Sequence, residues 1–88
     1  MPHVSLEELA KQLAAAAKEV EIGSLYVHYK DPTKKYRITG LVVLEATDEV
    51  AVVYEAQYDT RVSFVRPLAS FSAEVDVDGV STPRFTRQ

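Results

Sequence analysis

The chain has 88 residues, of which 47% are apolar and 26% are charged, a composition typical of a single globular domain over residues 1–88. It contains no cysteine, which excludes a disulfide scaffold or a thiolate metal site. Its formal net charge of −3 argues against a dedicated nucleic-acid binder. No signal peptide and no apolar run of the roughly 20 residues that cross a membrane occur, so we expect a cytoplasmic protein of bacterial type without membrane contact.

An amphipathic helix is predicted over residues 5–21. Ser5 and Glu8 have the spacing of a capping box, and the run that follows contains no Gly or Pro and is rich in Ala. An apolar stripe recurs at helical spacing, at Leu6, Leu9 and Leu13. A helix of this length is marginally stable alone in water. We therefore expect its stripe to pack on the rest of the domain or, as the alternative, on a second copy of the chain.

From residue 24 to residue 86 the apolar pattern changes to alternation, which predicts β-strands. Asp31 and Pro32 predict a turn over residues 31–34, and Asp78-Gly79 predicts a two-residue hairpin. Gly40 interrupts the second predicted strand and favours a bulge there. Consecutive hairpins with no intervening helix predict a mainly β fold: a small SH3-like antiparallel barrel of five or six strands, preceded by the N-terminal helix.

Four short segments follow one another along this β region: GSLYVHYK at residues 23–30, VVY at 52–54, VRPL at 65–68 and PRF at 83–85. Together they resemble the small bacterial family called domain of unknown function 1653, and the resemblance covers Gly23 to Phe85. It implies a small SH3-like β domain and no particular activity. The chain departs from the family pattern at residues 44–47, where a second His is usual, and at Phe64, where Trp is common. The N-terminal helix lies outside the resemblance.

Two parts of the β region carry candidate ligand-binding side chains. Alternation places Tyr26, His28 and Lys30 on one face of the first predicted strand, where nitrogen donors and a phenol in a row suit an anion. An exposed polar strand face without a ligand is the simpler interpretation. Arg66 lies where a strand is expected to break. Its guanidinium either clamps a phosphate or carboxylate, or has a structural role in which it bonds the carbonyls of the turn that follows or pairs with Glu55. These four residues form the predicted ligand site.

Catalysis is not expected, because the chain lacks cysteine, a phosphate loop, a nucleophile elbow and a His-Glu-x-x-His motif, and one of its two histidines, His3, lies near the terminus. No metal or cofactor is expected either. The sequence therefore predicts a non-catalytic binding or interaction module whose partner is a protein or a small anionic ligand. The alternatives are a homodimer or adaptor acting through the N-terminal helix, and a weak nucleic-acid binder. The latter would use the cations around the first hairpin, Lys30, Lys34, Lys35 and Arg37.

Overall fold

A computed structural model describes residues 4–88, so His3 lies outside the described residues. This part of the chain forms two helices and seven strands. In chain order they are α1 (Leu6–Glu19), β1 (Leu25–His28), β2 (Asp31–Leu44), β3 (Glu49–Ala56), β4 (Ser63–Pro67), α2 (Leu68–Phe71), β5 (Glu74–Val77), β6 (Val80–Pro83) and β7 (Phe85–Arg87). The predicted mainly β fold with one N-terminal amphipathic helix is confirmed.

Helix α1 begins where the capping pattern predicts. The Ser5 hydroxyl oxygen accepts a hydrogen bond from the backbone N–H of Glu8 at 3.1 Å. The helix is shorter than the predicted 5–21, because Val20 already has an extended backbone, with φ −125° and ψ 106°. Ala16 and Val20 are buried where α1 contacts β2 and β3. The C-terminal half of α1 thus packs on its own sheet. Neither helix of the described chain combines the length and apolarity that crossing a bilayer requires.

The main sheet has five antiparallel strands in the order β4-β3-β2-β1-β7, and β5 and β6 form a separate hairpin. Within residues 4–88, the edge strands β4 and β7 do not pair with each other, so the sheets are not closed into the predicted SH3-like barrel. The extended segment after the Asp78-Gly79 turn divides at Arg84 into β6 and β7. The N–H of Arg84 donates to the carbonyl of Ala73 and its carbonyl accepts from the N–H of Tyr29. This division sends β7 to β1, which raises the strand number to seven.

Two local backbone predictions are confirmed. The register of β2 against β3 shifts between Ile38 and Gly40, so a bulge lies at the predicted glycine. Asp78 and Gly79 connect β5 and β6 with positive φ angles of 52° and 83°. Asn, Asp and Gly tolerate such angles best, and two of them in succession match the right-handed twist of a two-residue hairpin.

The first hairpin turn lies earlier than predicted. Tyr29 and Lys30 form the turn, and β2 already begins at Asp31, which pairs with His28. The Asp31 carboxylate accepts hydrogen bonds from the N–H and hydroxyl of Thr33, as the predicted turn over residues 31–34 would require. That interaction instead stabilises the irregular start of β2, where the register against β1 shifts.

The core lies on one face of the sheet, called here the inner face, against α1 and α2. Its buried side chains are Val20, Tyr26, Ile38, Val52, Tyr54, Phe71 and Phe85. Phe71 of α2 is 2% exposed, and its ring stacks on that of Phe85 with 4.3 Å between centroids. Phe85 also forms part of a neighbouring cleft, so the core supports the wall of that cleft.

Candidate functional site

A cleft of about 340 Å³ opens on the inner face beside the core. Three of the four predicted ligand residues, His28, Lys30 and Arg66, line it. The fourth, Tyr26, lies in the core and is 8% exposed. Its ring meets that of Phe71 edge to face at 5.3 Å, and burial raises the pKa of its phenol. Tyr26 therefore supports the cleft from below and does not line it.

Arg66 is held at the cleft by uncharged partners. Its Nη1 donates to the Ser70 hydroxyl at 3.0 Å, and its Nε lies 3.5 Å from the Tyr54 hydroxyl. The guanidinium carbon is 6.0 Å from the centroid of the Phe85 ring. Among residues 4–88, the salt bridges are Arg61–Glu55 and Arg87–Glu21, so no carboxylate of the described chain neutralises Arg66.

His28 presents one nitrogen proton at this site. Its Nδ1 accepts a hydrogen bond from the backbone N–H of Lys30 at 3.2 Å, so the neutral ring carries its proton on Nε2. Burial lowers the pKa of His28, and the positive charges of Lys30, Arg66 and Arg84 lower it further. The ring also meets that of Phe85 edge to face at 5.0 Å. Near pH 7 the imidazole is a neutral hydrogen-bond donor.

We expect the pKa of His28 to lie below its ordinary 6.5 and to rise in Lys30→Gln, which removes the positive charge that lowers this pKa most. Since the unfolded chain binds this proton more readily, the contribution of His28 to stability is complete above about pH 6.5 and is lost as the pH falls through the lower folded pKa. An NMR titration of the imidazole protons measures the pKa of His28 in the unchanged protein and in Lys30→Gln. Lys35→Gln, a charge loss on the opposite face of the sheet, is the control. An unchanged pKa in Lys30→Gln would contradict this placement of the charges.

Aromatic rings form the walls of the cleft. They belong to Tyr36, Tyr54, Tyr58, Phe64 and Phe85. The hydroxyls of Tyr36 and Tyr58 lie 2.7 Å apart and share a hydrogen bond. Burial, and to a smaller extent this hydrogen bond, raises the pKa of Tyr36 to about 12. Phe64 stacks on Tyr54 at 5.6 Å and is 43% exposed. Tyr36 therefore stays uncharged, and Phe64 presents part of its ring to solvent.

Pairing between strands explains how these side chains meet. Phe64 and Arg66 lie directly opposite Tyr54 and Val52 of β3, so all four share the inner face. Sequence reasoning singled out Arg66 and missed Phe64 as a wall residue, although their spacing of two in one strand was the available signal.

The cations of the first hairpin do not form one surface. Lys34 lines the cleft with its Nζ 5.2 Å from the centroid of Tyr58, and Lys30 lines it as well. Side chains alternate along β2, so Lys35 and Arg37 lie on the outer face, where Arg37 donates to the carbonyl of Gly23 at 2.7 Å. Two of the four cations thus belong to the cleft and two to the opposite face.

The apolar stripe of α1 is half-buried at two of its leucines and exposed at the third. Leu13 and Leu9 are half-buried, whereas Leu6 is 85% exposed. Leu6 and Leu9 line a separate groove of about 510 Å³ with Val43 of β2.

Within residues 4–88, no group of three or more His, Asp or Glu side chains is arranged as metal ligands.

Comparison with known proteins concerns mainly the β region. A family model described as "Protein of unknown function (DUF1653)" matches residues 24–87. Among solved structures, the crystal structure of a DUF1653 protein from Bordetella bronchiseptica is similar, with 33% sequence identity and a TM-score of 0.64 over 77% of this chain and 86% of that chain. Comparison with curated proteins gives no match. The family match contains the whole cleft and leaves α1 outside.

Proposed function

The chain belongs to the DUF1653 family, whose function is unknown, and we propose that it is a non-catalytic module that binds a small anionic ligand in the cleft. The observation that carries this proposal is the Arg66 guanidinium, which lines the cleft with hydroxyl partners and no carboxylate among residues 4–88. A guanidinium has five N–H donors, and an anion is their strongest acceptor. The cytoplasm remains the expected compartment.

The charge of the cleft supports the same ligand class. The whole chain has a net charge of −3, yet the cleft is lined by Lys30, Lys34 and Arg66 against the single carboxylate of Asp31. Positive groups concentrated in a concave site raise the local concentration of anions. His28 adds a neutral N–H donor. The local charge therefore opposes that of the rest of the chain.

The size of the cleft favours a metabolite over a macromolecule. Its volume of about 340 Å³ lies near the lower end of the range of about 300–1,000 Å³ that small-molecule sites occupy. Aromatic walls with a few charged groups are also the usual lining of such sites.

Titration of the isotope-labelled protein with inorganic phosphate and with citrate, followed by NMR, tests this function. We expect saturable shifts in the resonances of His28, Lys30 and Arg66, weakened by added salt because the attraction is electrostatic. The resonances of Lys35 and Arg37 on the outer face are the internal control. Shifts confined to the outer face, or none with either anion, would contradict the proposal.

A second candidate function is self-association through the N-terminal end of α1. It is favoured by Leu6, an exposed leucine that borders the apolar groove next to β2. Light scattering coupled to size-exclusion chromatography would then give twice the 9.8 kDa mass of one chain, and Leu6→Glu would restore the single mass. Val80→Glu, at another exposed apolar position, should leave the dimer intact. A single-chain mass for the unchanged protein would contradict this candidate.

A further inference from the structure

We infer that the anion is a phosphate monoester attached to a planar ring, as in a nucleotide, with its phosphate beside Arg66 and its ring stacked on Phe64. This inference rests on the anionic-ligand function proposed above and names the chemical class of the ligand. Three features of the cleft carry it: the hydrogen-bond donors, the charge and the exposed ring.

The polar groups of the cleft are predominantly donors. Arg66 and the two lysines have no acceptor atoms, and His28 keeps its proton on Nε2 because its Nδ1 already accepts from Lys30. The Tyr54 hydroxyl faces the Arg66 N–H, so its own proton is free to donate elsewhere. The one carboxylate, Asp31, already accepts two hydrogen bonds from Thr33. A ligand group that only accepts hydrogen bonds, such as a phosphate oxygen, fits this lining.

The charge of the cleft matches a dianion better than a single carboxylate. Three positive side chains and one negative side chain line it, which leaves a net charge of +2. A phosphate monoester carries a charge of about −1.5 to −2 near neutral pH. One phosphate therefore neutralises the cleft, whereas one carboxylate leaves an excess of positive charge.

The exposed ring of Phe64 accounts for the second part of the ligand. Phe64 is the large aromatic side chain of the cleft that solvent reaches most, and its ring stacks on that of Tyr54 at 28°. A planar ring bound to the exposed part of Phe64 extends this stack. Phe64 and Arg66 are two residues apart on one strand, so their Cα atoms are separated by about 7 Å along the strand. One sugar unit spans a similar separation between a phosphate and a base.

The ligand class is tested by calorimetric titration with ribose 5-phosphate, AMP and adenosine. We expect AMP to bind about tenfold more tightly than ribose 5-phosphate, the ratio that follows from stacking one base on an aromatic side chain. Adenosine should bind more weakly than AMP, because it lacks the phosphate. Phe64→Leu should reduce the affinity for AMP to that for ribose 5-phosphate, and Phe64→Tyr should retain it. Lys35→Gln, on the outer face of the sheet and outside the cleft, should change neither affinity by more than about twofold.

Each contrary result identifies the part that is wrong. Equal affinities for AMP and ribose 5-phosphate would contradict the claim that the ligand has a planar ring, and would leave the anion-binding function standing. Adenosine binding as tightly as AMP would contradict the claim that the ligand has a phosphate. Unchanged AMP affinity in Phe64→Leu would overturn the placement of the ring. A short single-stranded oligonucleotide that binds far more tightly than AMP would contradict the claim that the ligand is a small molecule. If no phosphate compound and no other anion binds, the proposed function fails together with this inference.

Discussion

Replacing Phe71 with Ala is expected to lower the free energy of unfolding by about 3–5 kcal/mol, the cost of truncating a buried Phe. Phe71 is nearly inaccessible to solvent and contacts the rings of Tyr26, Tyr54 and Phe85. The short helix α2 has four residues and no side-chain cap, so this packing is what holds it on the sheet. Urea denaturation followed by circular dichroism measures the change.

Phe64→Ala is the matched control for this prediction. The same side chain is removed, but Phe64 is 43% exposed whereas Phe71 is 2% exposed, so we expect a smaller loss, about 1–2 kcal/mol, from its partly buried ring. A small domain has about 5–15 kcal/mol of stability in all, so Phe71→Leu is the milder variant to measure if Phe71→Ala is largely unfolded. Equal losses at the two positions would show that Phe71 is not a central core residue.

Replacing Arg66 with Gln is expected to weaken phosphate binding about tenfold to a hundredfold, which corresponds to the 1.5–3 kcal/mol of a charge-assisted hydrogen bond. Gln keeps a polar but shorter side chain and removes the charge and the paired N–H donors. Arg66→Lys keeps the charge and should retain part of the affinity, because it loses only the bidentate geometry. Affinities are measured by calorimetry at constant salt concentration.

Lys35→Gln is the control for the loss of charge. It removes one positive charge from the outer face of β2, so the net charge of the protein changes equally while the cleft does not. We expect less than about a twofold change in phosphate affinity, because solvent and salt screen charges at that distance. If Lys35→Gln and Arg66→Gln weaken binding equally, the affinity comes from overall charge and not from the cleft.

The features that depend on near neighbours in the chain follow from the sequence alone. The Ser5 cap, the bulge at Gly40 and the Asp78-Gly79 hairpin each follow from the preferences of one or two residues, and the structure confirms all three. Alternating apolar residues determined the mainly β class, and the ordered segments from Gly23 to Phe85 determined the family.

Which distant segments meet depends on the packing of the whole chain. The backbone of Arg84 bonds to Ala73 and Tyr29, and this separates β7 from β6 and leaves the sheet open where a barrel was predicted. Tyr26 and His28 share a strand face, but α2 covers the first with Phe71 and leaves the second in the cleft. Local preference does not distinguish these two positions, because it contains no information about what packs above them.

The candidate site shows the same division. Its residue types are visible in the sequence, which predicts His28, Lys30 and Arg66 as donors suited to an anion, and their role in binding stays a prediction. Their meeting in one cleft with Phe64 depends on β4 pairing with β3 and on β1 pairing with β2 in this register. Such pairings are stabilised by contacts across the whole sheet. They are therefore a property of the folded chain and not of any one segment.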